Sequence, residues 1–287
     1  MSLSYFAECT ALITGASAGI GREFARQLTP VVGTMILVAR RNDRLEALEL
    51  ELKVINPELE VYCRQLDLSD QAEHNRFCDW LDESGLAVDL LVNNAGLGDR
   101  GSFAGSKWER VESMLQVNIQ ALTYLVYRIL PSMQKSGCGA ILNVSSTASL
   151  LPVPNLAVYA ATKAYVTSFS EALRAELRNS NISVTTLCPG PVATEFGDVA
   201  TREGDVYATP LPDYFTVSVQ DVVRLALNAV ARDRARIIPG TALNLVMSAV
   251  AFLPMFVKRM FLNAHVARKR MPSNASHPMD YEISGMV

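Results

Sequence analysis

Apolar runs of strand length alternate with longer helical stretches along most of this chain, and that alternation leaves few architectures open. Cys9–Gly15, Thr34–Arg40, Glu60–Leu66, Val88–Asn93, Ala140–Ser145, Ser183–Cys188 and the short Arg236–Ile238 read as strands. Ile20–Leu28, Asp43–Ile55, Gln71–Glu83, Trp108–Met133, Ala157–Asn179 and Gln220–Arg232 read as helices, with Pro30, Pro57 and Gly85 just past three of their ends. Strands apolar on both faces, each followed by a helix, call for a parallel sheet covered on both sides. The expected fold class is α/β, a single-domain doubly wound parallel sheet. Residues 1–240 would form the sheet domain, and 241–287 an apolar helical extension and tail of the same domain. No internal repeat or dividing linker interrupts the pattern.

Composition narrows the function classes. The 287 residues are 49 % apolar, enough for a substantial core. The net charge of −3 argues against nucleic acid as the main partner, because phosphate backbones want a basic face. Met1 to Glu8 lacks the cationic start and apolar run of a signal peptide. Cys9, Cys63, Cys78, Cys138 and Cys188 are odd in number and scattered, which reads as reduced thiols in a cytoplasmic protein. His74, His265 and His277 form no ligand set, so no metal site is expected.

The first strand runs into Thr14-Gly15-Ala16-Ser17-Ala18-Gly19-Ile20-Gly21. Glycines there let the backbone turn tightly and approach a pyrophosphate, and the following helix aims its N-terminal N–H groups at it. The spacing is Gly-x-x-x-Gly-x-Gly, not the Gly-x-Gly-x-x-Gly of the common dinucleotide fingerprint. At the end of the second strand an acid would bond a ribose 2′-hydroxyl, whereas arginine accommodates a 2′-phosphate. Arg40 and Arg41 stand there, which favours NADP(H); the nearby Asp43 leaves NAD(H) open. Asp67-Leu68 follows the third strand, where the carboxylate can accept from an adenine amino group or cap the helix beginning near Gln71. Asn93-Asn94-Ala95-Gly96 ends the fourth strand with small residues against which a cofactor can lie.

Tyr159 and Lys163 are four apart on a predicted helix and so share one face. A fixed cation favours phenolate; bringing a tyrosine from ~10 to ~7 takes about 4 kcal/mol. One lysine plus an oxidised nicotinamide ring could supply this in a dry cleft. The pair then gives a general acid for a carbonyl oxygen as hydride reaches its carbon.

Taken together, these pieces resemble the classical short-chain dehydrogenase/reductase (SDR) family over residues 8 to about 240. The resemblance rests on residues 14–21, Asn-Asn-Ala-Gly at 93–96, Asn118, Ser145, Tyr159, Lys163 and Pro189-Gly190-Pro191-Val192-Ala193-Thr194. It implies a Rossmann-like fold and an NADP(H)-dependent oxidoreductase. By position, Tyr159 would be the proton donor and Ser145 would bond the substrate carbonyl. Lys163 would hold the nicotinamide ribose and depress the tyrosine pKa, and Asn118 would anchor a water linking Lys163 to solvent. Pro189, Gly190 and Val192 to Thr194 would line the nicotinamide side. A non-catalytic NADP(H)-sensing protein on the same fold is the competing expectation. Family habit implies a homodimer or homotetramer, with helices near 108–133 and 157–179 resembling those that pair.

The substrate side is apolar. Leu150-Leu151-Pro152-Val153-Pro154-Asn155-Leu156 carries no cation for a carboxylate or phosphate, which favours a neutral or apolar carbonyl compound, 3-oxoacyl-like or a ketone; alternatively the leucines pack inward. Residues from about 195 to 217 read as a lid, with Phe196, Val199 and Tyr207 as wall residues. Thr241–Val257 is apolar nearly all round but shorter than the ~20 residues of a membrane span. It packs over the cleft or into a subunit interface, or it attaches residues 241–270 to a membrane surface, with Lys258-Arg259 and Arg268-Lys269-Arg270 facing headgroups.

Overall fold

The computed structural model describes residues 3–202 and 216–260. Seven parallel strands form one sheet: β1 (Thr10–Thr14), β2 (Thr34–Ala39), β3 (Glu60–Gln65), β4 (Leu90–Asn93), β5 (Gly139–Val144), β6 (Ile182–Leu187) and β7 (Arg236–Ile237). Their spatial order is β3-β2-β1-β4-β5-β6-β7, so the winding reverses between β1 and β4. That reversal opens a crevice at the carboxyl ends of these two strands, where ligands of doubly wound sheets sit.

The helices are α1 (Gly19–Leu28), α2 (Asn42–Ile55), α3 (Gln71–Ser84), α4 (Trp108–Leu115), α5 (Leu122–Ser136), α6 (Ala157–Glu176), α7 (Glu195–Ala200), α8 (Val219–Ala231) and α9 (Thr241–Phe252). They cover both faces because neighbouring strand residues point to opposite sides. Ile13, Leu37, Val92 and Leu142 pack with Phe24, Leu45, Leu48 and Val223 of α1, α2 and α8. Leu12, Ile36, Leu91 and Ile141 pack with Phe77, Leu125, Ile129 and Leu173 of α3, α5 and α6.

The helix expected over Trp108–Met133 is not uniform. A π-helical segment, Gln116–Ala121, separates α4 from α5. Apolar periodicity does not register this change of backbone partner, and such segments gather at functional sites.

α9 ends at Phe252, before Pro254, as the restriction on residues preceding proline favours. Its Leu243 and Met247 pack with Cys188 and Ile238, and Leu150 and Leu151 join them. The leucines beside the cleft therefore turn at least partly inward. One compact unit extends to Phe252, and Leu253 opens a second. Among the described residues no helix is long and apolar enough to cross a membrane.

Candidate active site

The glycine-rich turn depends on close backbone approaches. Gly15 and Gly19 have φ of 67° and 52°, where a Cβ is strained. A Cβ on Gly21 would overlap the Gly15 carbonyl and sit 2.5 Å from Asn94 Nδ2. Asn94 in turn donates to Thr14 O at 2.9 Å, while the Asn94 and Ala95 N–H groups both reach Thr14 Oγ1 at 3.0 Å. The Asn94-Ala95 step is thereby lashed to the turn across the β1–β4 crevice. Ala18 precedes α1 without a side-chain cap, so it leaves first-turn N–H groups to a ligand; Ile20 packs into the core. Thr194 closes the far side: its Cβ lies 3.2 Å from where a Gly19 Cβ would be.

Arg41, after β2, and Arg44, in the first turn of α2 and not among the expected residues, border the turn. Arg41 Nη2 donates to Ser17 Oγ at 3.2 Å and Arg41 Nη1 to Glu195 at 3.1 Å. Arg44 Nη1 reaches both Glu195 oxygens at 2.7 and 2.9 Å. Arg40 is exposed, and its charge acts on Asp67. Asp67 does not cap α3; Asp70 does, accepting from Ala72 and Glu73 N–H at 2.7 and 3.1 Å. Instead Asp67 Oδ1 accepts from the Ser69 N–H and hydroxyl at 2.9 and 2.7 Å. Burial works against the Asp67 charge, but Ser69, Arg40 and His74 outweigh it and hold the carboxyl below its ordinary value. Leu68 is buried in the core beside it.

The centre of the site lies where α6 crosses the end of β5. Lys163 is 4 % exposed and donates from Nζ to Val144 O at 2.8 Å. Burial pushes its ammonium down to about 8. Its Nζ is 5.9 Å from the Tyr159 ring centre, one helical turn away. Gly96 makes room for this: a Cβ there would be 3.3 Å from Lys163 Nζ and 3.4 Å from Asn118 Oδ1. Asn118, in the π-helical segment, accepts the Leu97 N–H at 2.8 Å and donates to Leu97 O and Thr162 Oγ1 at 2.9 and 3.0 Å. It ties the chain after β4 to α6.

Ser145, expected at the substrate carbonyl, is engaged within the fold. It is 2 % exposed; its hydroxyl donates to Lys163 O at 2.9 Å and lies 2.7 Å from Thr167 Oγ1. Continuing the two-residue period of β5, it points under α6, as Ile141 and Asn143 do. Ser146, the next residue, is half-buried at the start of a 3-10 turn; its Oγ accepts the Ala148 N–H at 3.1 Å and retains a hydroxyl hydrogen to donate. The alternation of the strand was the signal that separates the two serines.

The remaining wall comes from the chain after β6. Pro189 O accepts the Thr147 N–H at 3.0 Å, Gly190 follows it, and Val192 packs against the core. Thr194 caps α7, whose Phe196 ring lies 5.6 Å from the Tyr159 ring. Gly98 permits that approach, because a Cβ there would be 3.0 Å from Phe196 Cζ. Asp99 binds Arg202 through both oxygens at 2.9 and 2.7 Å and Arg110 at 3.5 Å, joining the loop after β4 to the end of the α7 segment. Val199 is exposed; Tyr207 and the stretch 203–215 lie outside the described residues.

Residues 9–204 match the family model described as short chain dehydrogenase. The chain belongs to that family. Sulfoacetaldehyde reductase 2 of Chromohalobacter salexigens is 36 % identical over 221 residues, covering 75 % of this chain and 85 % of that one. The NADP-dependent 3-hydroxy acid dehydrogenase of Escherichia coli is 36 % identical over 197 residues, 68 % of this chain and 77 % of that one. Among solved structures, a short-chain dehydrogenase from Sphingobium yanoikuyae in complex with NADPH is 29 % identical with a TM-score of 0.73, covering 95 % of this chain and all of that one.

Proposed function

We propose that the protein is an NADP(H)-dependent oxidoreductase that interconverts a carbonyl group and a secondary alcohol, with Tyr159 managing the proton. The observation that carries this reading is a buried Lys163 ammonium one turn from the Tyr159 ring, beside a glycine at 96 that keeps the space open. The turn of Gly15, Gly19 and Gly21, the open first turn of α1 and Thr194 suit a diphosphate. Ser17 and Arg41, aided by Arg40 and Arg44, suit a 2′-phosphate. Asp67 suits the adenine amino group. The relatives named above, one bound to NADPH and one NADP-dependent, point the same way.

When bound, a reduced nicotinamide would supply the hydride for the carbonyl carbon. The Tyr159 hydroxyl gives its proton to the oxygen, and the Ser146 hydroxyl donates a hydrogen bond to that same developing charge. Lys163 holds positive charge near Tyr159 and favours its phenolate. Asn118 is a positioning residue. A pure sensor on this fold would need neither the tyrosine nor the buried lysine.

The Leu150–Leu156 loop has no cation, and Phe196 faces Tyr159, so a neutral or apolar carbonyl compound is the preferred substrate class. The names of two relatives indicate small acidic substrates instead, so both classes belong in the test. NADPH consumption is followed with ketones, 3-oxoacyl thioesters, sulfoacetaldehyde and, in reverse, 3-hydroxy acids. Tyr159→Phe is expected to lower kcat about 10²- to 10⁴-fold while nucleotide still binds. Ser146→Ala is expected to cost about 10²-fold in kcat, and Ser145→Ala about 1 kcal/mol of stability with little change in rate. An undiminished Tyr159→Phe enzyme would refute the proton donor, and the opposite serine pattern would restore Ser145.

Self-association and a peripheral membrane contact belong to the same proposal. Tyr127, Leu115 and Tyr165 are exposed on the helices that pair in the family, which supports a homo-oligomer. Leu245, Val246 and Phe252 are exposed on α9, which supports an apolar partner there, a membrane surface included. The free cysteines suit a reducing compartment such as the cytoplasm. Sedimentation gives the oligomeric state. Vesicle co-sedimentation of the full chain against one ending near Gly240, which lacks α9, tests the membrane contact, and equal partitioning counts against a role for residues 241–287.

A further inference from the structure

We propose that Glu195 competes with a nucleotide's 2′-phosphate for Arg41 and Arg44, and so sets how strongly the protein separates phosphorylated from unphosphorylated dinucleotides. This rests on the NADP(H) reading above. Ser17 in the glycine-rich turn, Arg41 after β2 and Arg44 in the first turn of α2 converge on one side of the crevice. The group they meet there is a carboxylate from the far side of the chain. Arg41 Nη1 lies 3.1 Å from Glu195 and Arg44 Nη1 2.7 Å, while Arg41 Nη2 lies 3.2 Å from Ser17 Oγ.

Arg44 first, and Arg41 next, hold the Glu195 carboxyl below its ordinary value, so it is ionised at neutral pH. The carboxylate is held by Arg41 and Arg44. Thr194, the residue before it, lies against Gly19, which sets the Glu195 backbone beside the phosphate turn.

Two guanidinium groups and one carboxylate leave a single positive charge. A 2′-phosphate brings more negative charge than a carboxylate and three acceptor oxygens for the same N–H groups. It must either displace Glu195 or sit beside it against like-charge repulsion. Both cost affinity, and an unphosphorylated ribose incurs neither. The ion pairs are about half exposed, so the displaced interaction is weak and the effect on affinity is moderate.

The test compares 2′,5′-ADP with 5′-AMP binding to the full chain by calorimetry, in wild type, Glu195→Gln and Asp198→Asn. Asp198 is an exposed acid on the same short helix, and no ion pair among the described residues reaches it, so it reports the general effect of removing one charge. Glu195→Gln is expected to tighten 2′,5′-ADP about three- to tenfold and to leave 5′-AMP within about twofold, with Asp198→Asn changing neither beyond about twofold. Unchanged or weaker 2′,5′-ADP binding in Glu195→Gln overturns the proposal, as does an equal gain in Asp198→Asn. Wild type that binds 2′,5′-ADP no better than 5′-AMP would remove the 2′-phosphate reading, and this inference with it. A wild-type preference that Glu195→Gln leaves unaltered would remove the inference alone.

Discussion

Lys163, proposed to act beside Tyr159, is costly for the fold to bury. Its ammonium is buried with one backbone carbonyl for company, and burial brings it from 10.5 to about 8. Below about 8 the group is protonated in both folded and unfolded chain, and the full cost of burying a cation is present. Between about 8 and 10.5 the folded chain has released a proton that the unfolded chain keeps, so this group's contribution to stability rises with pH. Lys163→Met is therefore expected to stabilise the fold near pH ~7 by up to about 3 kcal/mol, with the gain shrinking towards pH ~10, while abolishing turnover. Denaturant melts at both pH values check this; a variant less stable than wild type near neutrality would contradict it. The lysine was legible in the sequence by its spacing from Tyr159. Its burial was not, because that depends on Val144 of β5 and Gly96 of the loop after β4 closing around it.

At the scale of elements, the β1 turn and the end of β4 act as one piece. Gly21 gives α1 its close approach to the Gly15 carbonyl and Asn94. Gly21→Ala adds a methyl group where backbone and amide cannot retreat, so it is expected to cost about 1–3 kcal/mol and to weaken nucleotide binding together. A melt and a nucleotide titration read the two effects; full affinity in a destabilised variant would separate the turn's packing from its ligand role. Strand and helix positions were readable to within a few residues, because parallel strands buried on both faces leave a plain apolar signature. The π-helical segment at Gln116–Ala121 was not, since its cause is the fit of Asn118 to Leu97 and Thr162 rather than any local propensity.

For the molecule as a whole, the crevice is bordered by two segments a hundred residues apart in sequence, and Asp99 joins them. Arg202 chiefly, with Ser106 and Arg110, holds its carboxyl below the ordinary value against the opposing effect of burial. The stabilisation is present above the ordinary aspartate range and is lost as pH falls through the lowered folded value. Asp99→Ala leaves Arg202 and Arg110 without their shared anion and is expected to destabilise by about 3 kcal/mol at neutral pH. The deficit should narrow on acidification below pH ~4, where wild type loses the same pair. A deficit that stays constant with pH would mean that packing, not charge, holds the segments together.

By itself the sequence determined a parallel sheet covered on both faces, the glycine turn, and the spacing of the proposed Tyr159–Lys163 pair. Each of these is written in short-range periodicity or in fixed spacing along one element. Only the tertiary structure decided that Arg41 and Arg44 rather than Arg40 meet Ser17 and Glu195. It alone also showed that Asp99 fastens Arg202. These outcomes depend on side chains brought together from distant strands and loops, and neighbours in space leave no trace in neighbours in sequence.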